Sequence, residues 1–302
     1  MTATDTVVLR PNAGWDPRIL VCACGDLVDV FIVLTERYAV IIDTLINTAT
    51  ATALLELARA HQGHRQLLAI NTHADWDHAW GNHVFAGPGA PQQVPIIASR
   101  RCAQRLRARD ARALLAAKRA DEPGRFDDVQ LTPPTILFDE ALAITGGDLT
   151  LQLFATPGHT PDHIAIYIPQ ISTLLAGDAA ELPFPFAESA ATLPQLRDSL
   201  ARMAALDPAA ALCCHAPADA GPKALAQNMA YFATLEHHCR AALAAGVPAH
   251  PAAAADVEAL VGFPYDAAVP IELDAAALAG FYRPGHQAAI RMMLAYLAEV
   301  GS

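Results

Sequence analysis

The sequence is short of positive charge. Its 20 lysine and arginine residues are outnumbered by 31 aspartate and glutamate residues, which gives a formal net charge of −11. Non-specific binding to nucleic acid or to an anionic membrane needs a positive surface. We therefore expect neither of these partners, and a small-molecule substrate instead.

Targeting segments and a disulfide framework are also missing. Residues 1–17 contain no basic region followed by an apolar core, and no apolar run reaches the length of a membrane span. The six cysteines are scattered, with Cys22 and Cys24 inside an apolar, strand-like run, so they do not form the pattern of a disulfide-stabilised protein. These absences favour a cytoplasmic protein.

The sequence does contain many short apolar runs. With 53% hydrophobic and 17% charged residues, the chain can form an ordered core, as one large domain or two small ones. Apolar, β-branched runs at 19–24, 28–35 and 38–43 predict strands, and 51–60 predicts a helix before the next strand at 67–70. The first third of the chain is therefore expected to be an α/β structure.

The strand at 67–70 leads into a stretch with an unusual density of polar side chains. His73, Asp75, Asp77 and His78 place four potential metal ligands within six residues. So many charges repel one another or are costly to desolvate unless a cation lies between them. Mixed nitrogen and oxygen ligands suit zinc, iron or manganese better than calcium or magnesium. The alternative is a polar strand-to-helix turn that Asp77 caps.

Three later apolar strands each lead into a histidine or an aspartate. The strand at 149–154 precedes His159 and His163, the strand at 172–176 precedes Asp178, and the strand at 211–214 precedes His215. Gly158 permits a tight or left-handed backbone where His159 leaves the strand. Because α/β sheets place their sites at the carboxyl ends of strands, the four strand ends indicate one shared site.

These motifs resemble those of the metallo-β-lactamase-fold hydrolases, a superfamily that includes glyoxalase II-type thioesterases, lactonases, β-lactamases, nucleases and some iron oxidoreductases. The family's HxHxDH motif is present as HxDxDH, with Asp75 in place of the second histidine. Asp43, at the end of an apolar strand, matches the family's structural aspartate. The resemblance covers about residues 19–217 in the family's order, which makes it specific.

The resemblance implies a four-layer αββα sandwich with two divalent metal ions at one rim. Zinc is the first expectation for both ions, with iron or manganese as alternatives. Carried over by position, the expected ligands are His73, Asp75 and His159 for one ion, Asp77, His78 and His215 for the other, and Asp178 as the bridge. Asp77 and Asp178 are also the expected catalytic residues. His163 and Asp43 are expected to support the ligands from behind.

The implied function is hydrolysis of a small ester, thioester or lactone-type substrate by hydroxide formed at the dinuclear site. The alternatives are an iron-dependent oxidoreductase of the same fold, acting on oxygen or sulfur, a phosphodiesterase or nuclease-like enzyme, and a degenerate metal-binding protein. Trp76, Phe184 and Phe186 are candidates for an apolar pocket wall, although they are equally typical of a core. Because Asp75 adds a third carboxylate, we expect a less acidified water than at a histidine-ligated site.

Basic residues are concentrated in one helical-looking segment at about 99–128, which contains nine of the 20 lysines and arginines. Arg101, Arg105, Arg109 and Arg112 recur at helical spacing and predict a basic stripe. The stripe is either a solvated helix face or a surface that attracts an anionic substrate.

The last part of the chain carries no motif of this kind. Residues 221–302 are expected to be helical, with helices at 225–245 and 286–299 and with Ile290, Met293 and Leu294 on one face. We expect a domain at 1–220 and a C-terminal region that packs on it, caps its pocket or makes a dimer contact. A homo-oligomer is therefore one option.

Overall fold

The computed structural model describes residues 5–218 and 221–300, which form a seven-stranded and a five-stranded β-sheet. The strands are β1 (Val7–Leu9), β2 (Ile19–Cys24), β3 (Val28–Leu34), β4 (Tyr38–Ile42), β5 (Gln66–Ile70), β6 (Ile96–Ser99), β7 (Ile136–Phe138), β8 (Ala141–Thr145), β9 (Thr150–Ala155), β10 (Ile164–Ile168), β11 (Thr173–Gly177) and β12 (Ala210–Cys213). The first sheet has the order β1 to β7, and the second has the order β12-β11-β10-β9-β8.

The helices connect these strands and form the C-terminal region. They are α1 (Thr48–Gln62), α2 (Trp76–Ala79), α3 (Asn82–Ala86), α4 (Arg100–Arg107), α5 (Arg109–Asp121), α6 (Leu193–Ala204), α7 (Lys223–Ala244), α8 (Val257–Val261), α9 (Tyr265–Ala268) and α10 (Ala275–Val300). Among the described residues, no helix has the length and apolar character needed to cross a membrane.

Local sequence explains how the first sheet changes direction. Strands β2, β3 and β4 form an antiparallel meander, and β4 to β7 are parallel neighbours. Parallel neighbours need a crossover connection, and α1 supplies the first one. Asn47 begins α1 by accepting a hydrogen bond from the Thr50 backbone N–H, and the Thr50 side chain accepts one from the Asn47 N–H in return. This reciprocal capping fixes where the crossover helix starts.

The two sheets face each other across one apolar core. Ile32 and Ile41 of the first sheet belong to the same buried cluster as Leu153 and Ile166 of the second sheet. Burying such side chains stabilises the fold by about 1.5–3 kcal/mol each. The expected sandwich of two facing sheets with a helical C-terminal region is confirmed.

The C-terminal helices cover the outer face of the second sheet. A second buried cluster joins Leu174 of β11 to Leu200 of α6, Phe232 of α7 and Ile290 of α10. The region at 221–300 thus packs on the same sandwich within the described structure.

Helix α10 begins eleven residues before the predicted start at 286 and contains Pro284 in its interior. Proline disfavours a helix interior because it lacks an N–H and clashes with the preceding turn. Tertiary contacts of the preceding turn outweigh this cost: Tyr282 is buried, stacks on Phe186 and donates a hydrogen bond to Glu181.

Candidate metal centre

The ends of four strands bring all seven predicted ligands to one rim of the sandwich. His73 and Asp75 follow β5, Asp77 and His78 lie in α2, His159 lies between β9 and β10, Asp178 follows β11, and His215 follows β12. Helix α2 is only four residues long. Its short turn directs Asp77 and His78 toward the same point as the strand ends.

The ligand atoms form two groups that share one carboxylate oxygen. In the first group, Asp75 Oδ2 lies 3.6 Å from His73 Nε2 and 3.6 Å from His159 Nε2. In the second, Asp77 Oδ2 lies 3.7 Å from His78 Nε2 and 3.4 Å from His215 Nε2. Asp178 Oδ2 lies 3.1–3.6 Å from all four imidazole nitrogens. Asp178 therefore occupies the position of a bridge.

These residues could hold divalent metal ions. Tetrahedral zinc with bonds of about 2.1 Å would separate its ligand atoms by roughly 3.4 Å, close to the 3.4–3.7 Å between the Asp75 and Asp77 oxygens and the imidazole nitrogens of their groups. The Nε2 atoms of His73, His78 and His159 and Oδ1 of Asp178 are buried and have no hydrogen-bond partner. Buried polar atoms nearly always have partners, so these convergent atoms indicate cations between them.

Asp43 orients one of the histidines. Its Oδ2 accepts a 2.9 Å hydrogen bond from His78 Nδ1 and a 2.7 Å bond from the Thr72 hydroxyl, while Oδ1 accepts a 2.7 Å bond from the Thr72 N–H. With Nδ1 occupied in this way, His78 presents Nε2 to the site. The structure thus places Asp43 directly behind a predicted ligand, where such groups fix ligand orientation.

His163 lies behind Asp178. Its Nε2 accepts a 3.0 Å hydrogen bond from the Asp178 N–H, so Nδ1 donates to the Thr156 hydroxyl at 2.7 Å. Burial, together with the neighbouring His73 and His159, lowers the pKa of His163 well below its usual value and keeps the ring neutral. Gly177, at φ +56, permits this contact, because a Cβ there would lie 2.5 Å from His163 Nε2.

Asp75, the ligand that departs from the family motif, has a partner that the sequence did not reveal. Asp75 Oδ1 accepts a 3.0 Å hydrogen bond from Arg105 of α4, and the other end of the guanidinium contacts Asp162. Asp162 is buried and also accepts a 2.8 Å hydrogen bond from the Ala74 N–H. Burial alone would lower the pKa of Arg105, but Asp162 and Asp75 raise it, so the guanidinium remains charged.

This contact corrects one expectation. Arg105 does not belong to a uniform basic stripe, because it turns inward and forms ion pairs with Asp75 and Asp162. Its guanidinium places a positive charge beside Asp75, and the buried Asp162 shares that charge. The helical spacing of the four arginines in the predicted stripe could not show which of them would turn inward.

An open cavity of about 700 Å³ lies above the ligand groups, and Trp76 and Phe186 line it. The expectation for Phe184 is wrong. Its side chain is fully buried in the C-terminal core, where it stacks on Tyr231 with 4.3 Å between ring centroids. Neighbouring aromatic residues in an irregular loop point in different directions, and sequence does not say which one faces the cavity.

Sequence reasoning also missed Glu181, which lines the same cavity. Burial raises its pKa to about 7, and its side chain accepts a hydrogen bond from the Tyr282 hydroxyl. Its position three residues after Asp178 was a usable signal, whereas nothing in the sequence pointed to Tyr282.

Metal binding is expected to depend steeply on pH. Burial opposes protonation of His159, but Asp75 and Asp178 outweigh it and raise the pKa to about 9 in the metal-free protein. A metal must displace that proton, and the neighbouring carboxylates also raise the pKa of His78 and of His215, so affinity should rise at least about tenfold per pH unit between pH 6 and 9. Competition with a chromophoric chelator measures this dependence, and an affinity that does not change over this range would contradict the ligand assignment of His159.

Two facing sheets with His and Asp clusters at one rim define an αββα sandwich with residues that could hold metal ions. The family model of the Metallo-beta-lactamase superfamily matches residues 25–215, and the chain belongs to this superfamily. A search of curated proteins by sequence found no match.

Solved structures with the same fold are distant in sequence. A metallo-beta-lactamase family protein from Thermus thermophilus is 20% identical, with a TM-score of 0.60 over 98% of this chain and 93% of that chain. A beta-lactamase domain protein from Burkholderia ambifaria is 17% identical, with a TM-score of 0.64 over 99% and 90%. The sec-alkylsulfatase Pisa1 from Pseudomonas sp. is 17% identical, with a TM-score of 0.59 over 95% and 50%. These similarities show the fold.

Proposed function

We propose that the protein is a metal-dependent hydrolase that cleaves a small ester, thioester or lactone-type substrate at a dinuclear centre. One observation carries the proposal: buried imidazole and carboxylate atoms without hydrogen-bond partners converge on the floor of an open cavity. A purely structural cluster would need no access to solvent. The net charge of −11 supports a small-molecule substrate over nucleic acid or an anionic membrane.

The ligand residues have distinct parts in this proposal. One ion would be held by His73, Asp75 and His159, and the other by Asp77, His78 and His215. Asp178 would contact both ions. Divalent ions in such a site lower the pKa of water and polarise the bond under attack. Asp77, which lines the cavity, can hold the attacking water and accept its proton. Asp43 and His163 keep His78 and Asp178 in place, so that no reorientation is needed during the reaction.

Asp75 supports a second candidate. A carboxylate is a harder ligand than imidazole and favours iron or manganese over zinc, so an iron-dependent oxidoreductase of the same fold remains the alternative. A phosphodiesterase is a third option. Sulfate esters also belong among the test substrates, because one protein of the same fold is a sec-alkylsulfatase.

The test is a substrate panel on protein whose metal content has been measured. Carboxylic esters, thioesters, lactones, phosphodiesters and sulfate esters are assayed with the zinc, manganese and iron forms, before and after removal of metal by a chelator. We expect turnover of a carboxylic ester, thioester or lactone that stops on chelation and returns with metal. Oxygen consumption by the iron form, without hydrolysis by any form, would contradict the proposal.

A further inference from the structure

The cavity above the ligand groups has one wall without a charged side chain. Helix α10 and Leu273 just before it supply this wall, called here the α10 wall, which consists of Leu273, Ala277, Leu278, Phe281 and Tyr282. Charged residues line other parts of the same cavity, among them Arg10, which forms an ion pair with Asp29 at 2.7 Å. A ligand that fills the cavity therefore meets both apolar and charged surface.

The α10 wall contains an unusually exposed apolar side chain. Phe281 is 69% exposed, a value that only Ile271, outside the wall, exceeds among the large hydrophobic residues of the described structure. Apolar side chains exposed beside a concave site typically mark a surface that a ligand covers. Continuity with the ligand groups identifies that ligand as part of the substrate.

Contacts with the site hold the α10 wall in a fixed position. The Tyr282 hydroxyl donates to Glu181, and the Tyr282 ring stacks on Phe186 with 5.5 Å between centroids and an interplanar angle of 18°. The Phe186 carbonyl in turn accepts a 3.1 Å hydrogen bond from His159 Nδ1. Helix α10 approaches Phe186 so closely that a Cβ at Gly285 would lie 1.8 Å from its ring. The apolar surface is therefore set at a constant distance from the ligand groups.

We infer that the α10 wall binds an aliphatic acyl chain, and that the substrate is an ester or thioester of an acid several carbons long. The inference rests on the proposed function for the bond that is cleaved. The carbonyl carbon would lie at the ligand groups, the chain along Leu278 and Phe281, and the alcohol or thiol toward Arg10. Water adds to the carbonyl carbon, the C–O or C–S bond breaks, and the departing oxygen or sulfur takes a proton, leaving a carboxylic acid.

The length of the α10 wall limits the length of acyl chain that it can contact. Ala277 and Tyr282 are five residues apart on one helix, which corresponds to roughly 7 Å along its axis. Leu273 extends the wall beyond the start of α10. We therefore expect affinity to grow over several methylene groups and then to level off.

The first experiment is a series of acetyl, butyryl, hexanoyl and octanoyl esters of one alcohol, assayed with the metal-loaded protein. Each buried methylene should raise kcat/KM by up to about fourfold. Phe281→Ala and Leu278→Ala should flatten this series. The matched control is Leu260→Ala, an exposed leucine on α8 away from the cavity, which should keep the wild-type dependence. A flat series in the wild-type protein would overturn the inference and leave the proposed hydrolysis intact.

The second experiment does not depend on turnover. Calorimetric titration of the metal-loaded protein with acetate, butyrate, hexanoate and octanoate should show affinity rising with chain length, and Phe281→Ala should remove the rise. If the acids bind in this order but no ester is hydrolysed, the acyl site stands and the hydrolase proposal fails. If octanoate binds no more tightly than acetate, the acyl site is overturned. Gel filtration of Phe281→Ala covers the remaining case: conversion of a wild-type dimer to a monomer would show that a second copy covers the wall, which also overturns the inference.

Discussion

Replacing Asp178 with alanine is expected to remove both metal ions and abolish hydrolysis while the sandwich remains folded. Its Oδ2 is the atom that all four imidazole nitrogens share, at 3.1–3.6 Å, so neither ligand group is complete without it. The core between the sheets contains none of the site residues, which is why folding should survive. The loss of kcat should exceed about a hundredfold, the upper range for residues that only support a ligand.

Metal content after gel filtration, circular dichroism and kcat measure these effects together. Asp139→Ala is the matched control, since this carboxylate is exposed and pairs only with Arg100 among the contacts described, and it should keep metal and activity. His159→Ala and His215→Ala separate the two groups, each losing mainly one ion. Full metal stoichiometry in Asp178→Ala would show that the carboxylate is not a ligand.

Removing the charge of Arg105 is expected to shift the acidic limb of the pH–rate profile to higher pH. The guanidinium contacts Asp75 at 3.0 Å and adds positive charge beside the first ligand group, which favours deprotonation of the attacking water. Arg105→Met should shift the acidic limb to higher pH by about one unit. This is the effect of removing one of two unit charges that lie roughly 6 Å apart at an effective dielectric constant of about 40. Arg105→Lys keeps the charge and should keep the limb, even though it cannot contact both carboxylates in the same way.

The ion pair between Asp75 and Arg105 also determines how a change of Asp75 affects zinc affinity. In Asp75→His the guanidinium retains only Asp162 and repels the first ion, so the histidine should not bring the tighter zinc binding expected from the ligand type alone. The double variant Asp75→His with Arg105→Met removes that repulsion and should bind zinc more tightly than Asp75→His. Zinc affinities of the wild-type protein, the two single variants and the double variant, measured by chelator competition, give the coupling energy between Asp75 and Arg105. Additive effects, or an unchanged pH profile in Arg105→Met, would mean that Arg105 does not act on the metal centre.

Much of the fold was predictable because apolar runs and turns mark it directly. Strand β2 has the bounds that its β-branched run predicted, and the ligand positions followed from the ends of such runs. Strand β8 was missed because its residues alternate between exposed and half-buried positions without a strong apolar pattern. Strand β6 was missed because it is only four residues long and leads directly into α4, at the start of the segment whose composition indicated helix.

The parts of the site that sequence could not supply depend on distant contacts. Arg105 meets Asp75 across 30 residues and Asp162 across 57, and Tyr282 meets Glu181 across 101. No local pattern encodes such pairs. A motif identifies the side chains that bind, whereas the charge around them and the wall beside them come from the packing of α4 and α10.

The presence of two metal ions is the central claim, and anomalous diffraction from crystals of the metal-loaded protein tests it most directly. We expect two peaks per chain, one between His73, Asp75 and His159 and one between Asp77, His78 and His215, with Asp178 between them. A single peak, or peaks remote from these residues in protein loaded with excess metal, would contradict the account.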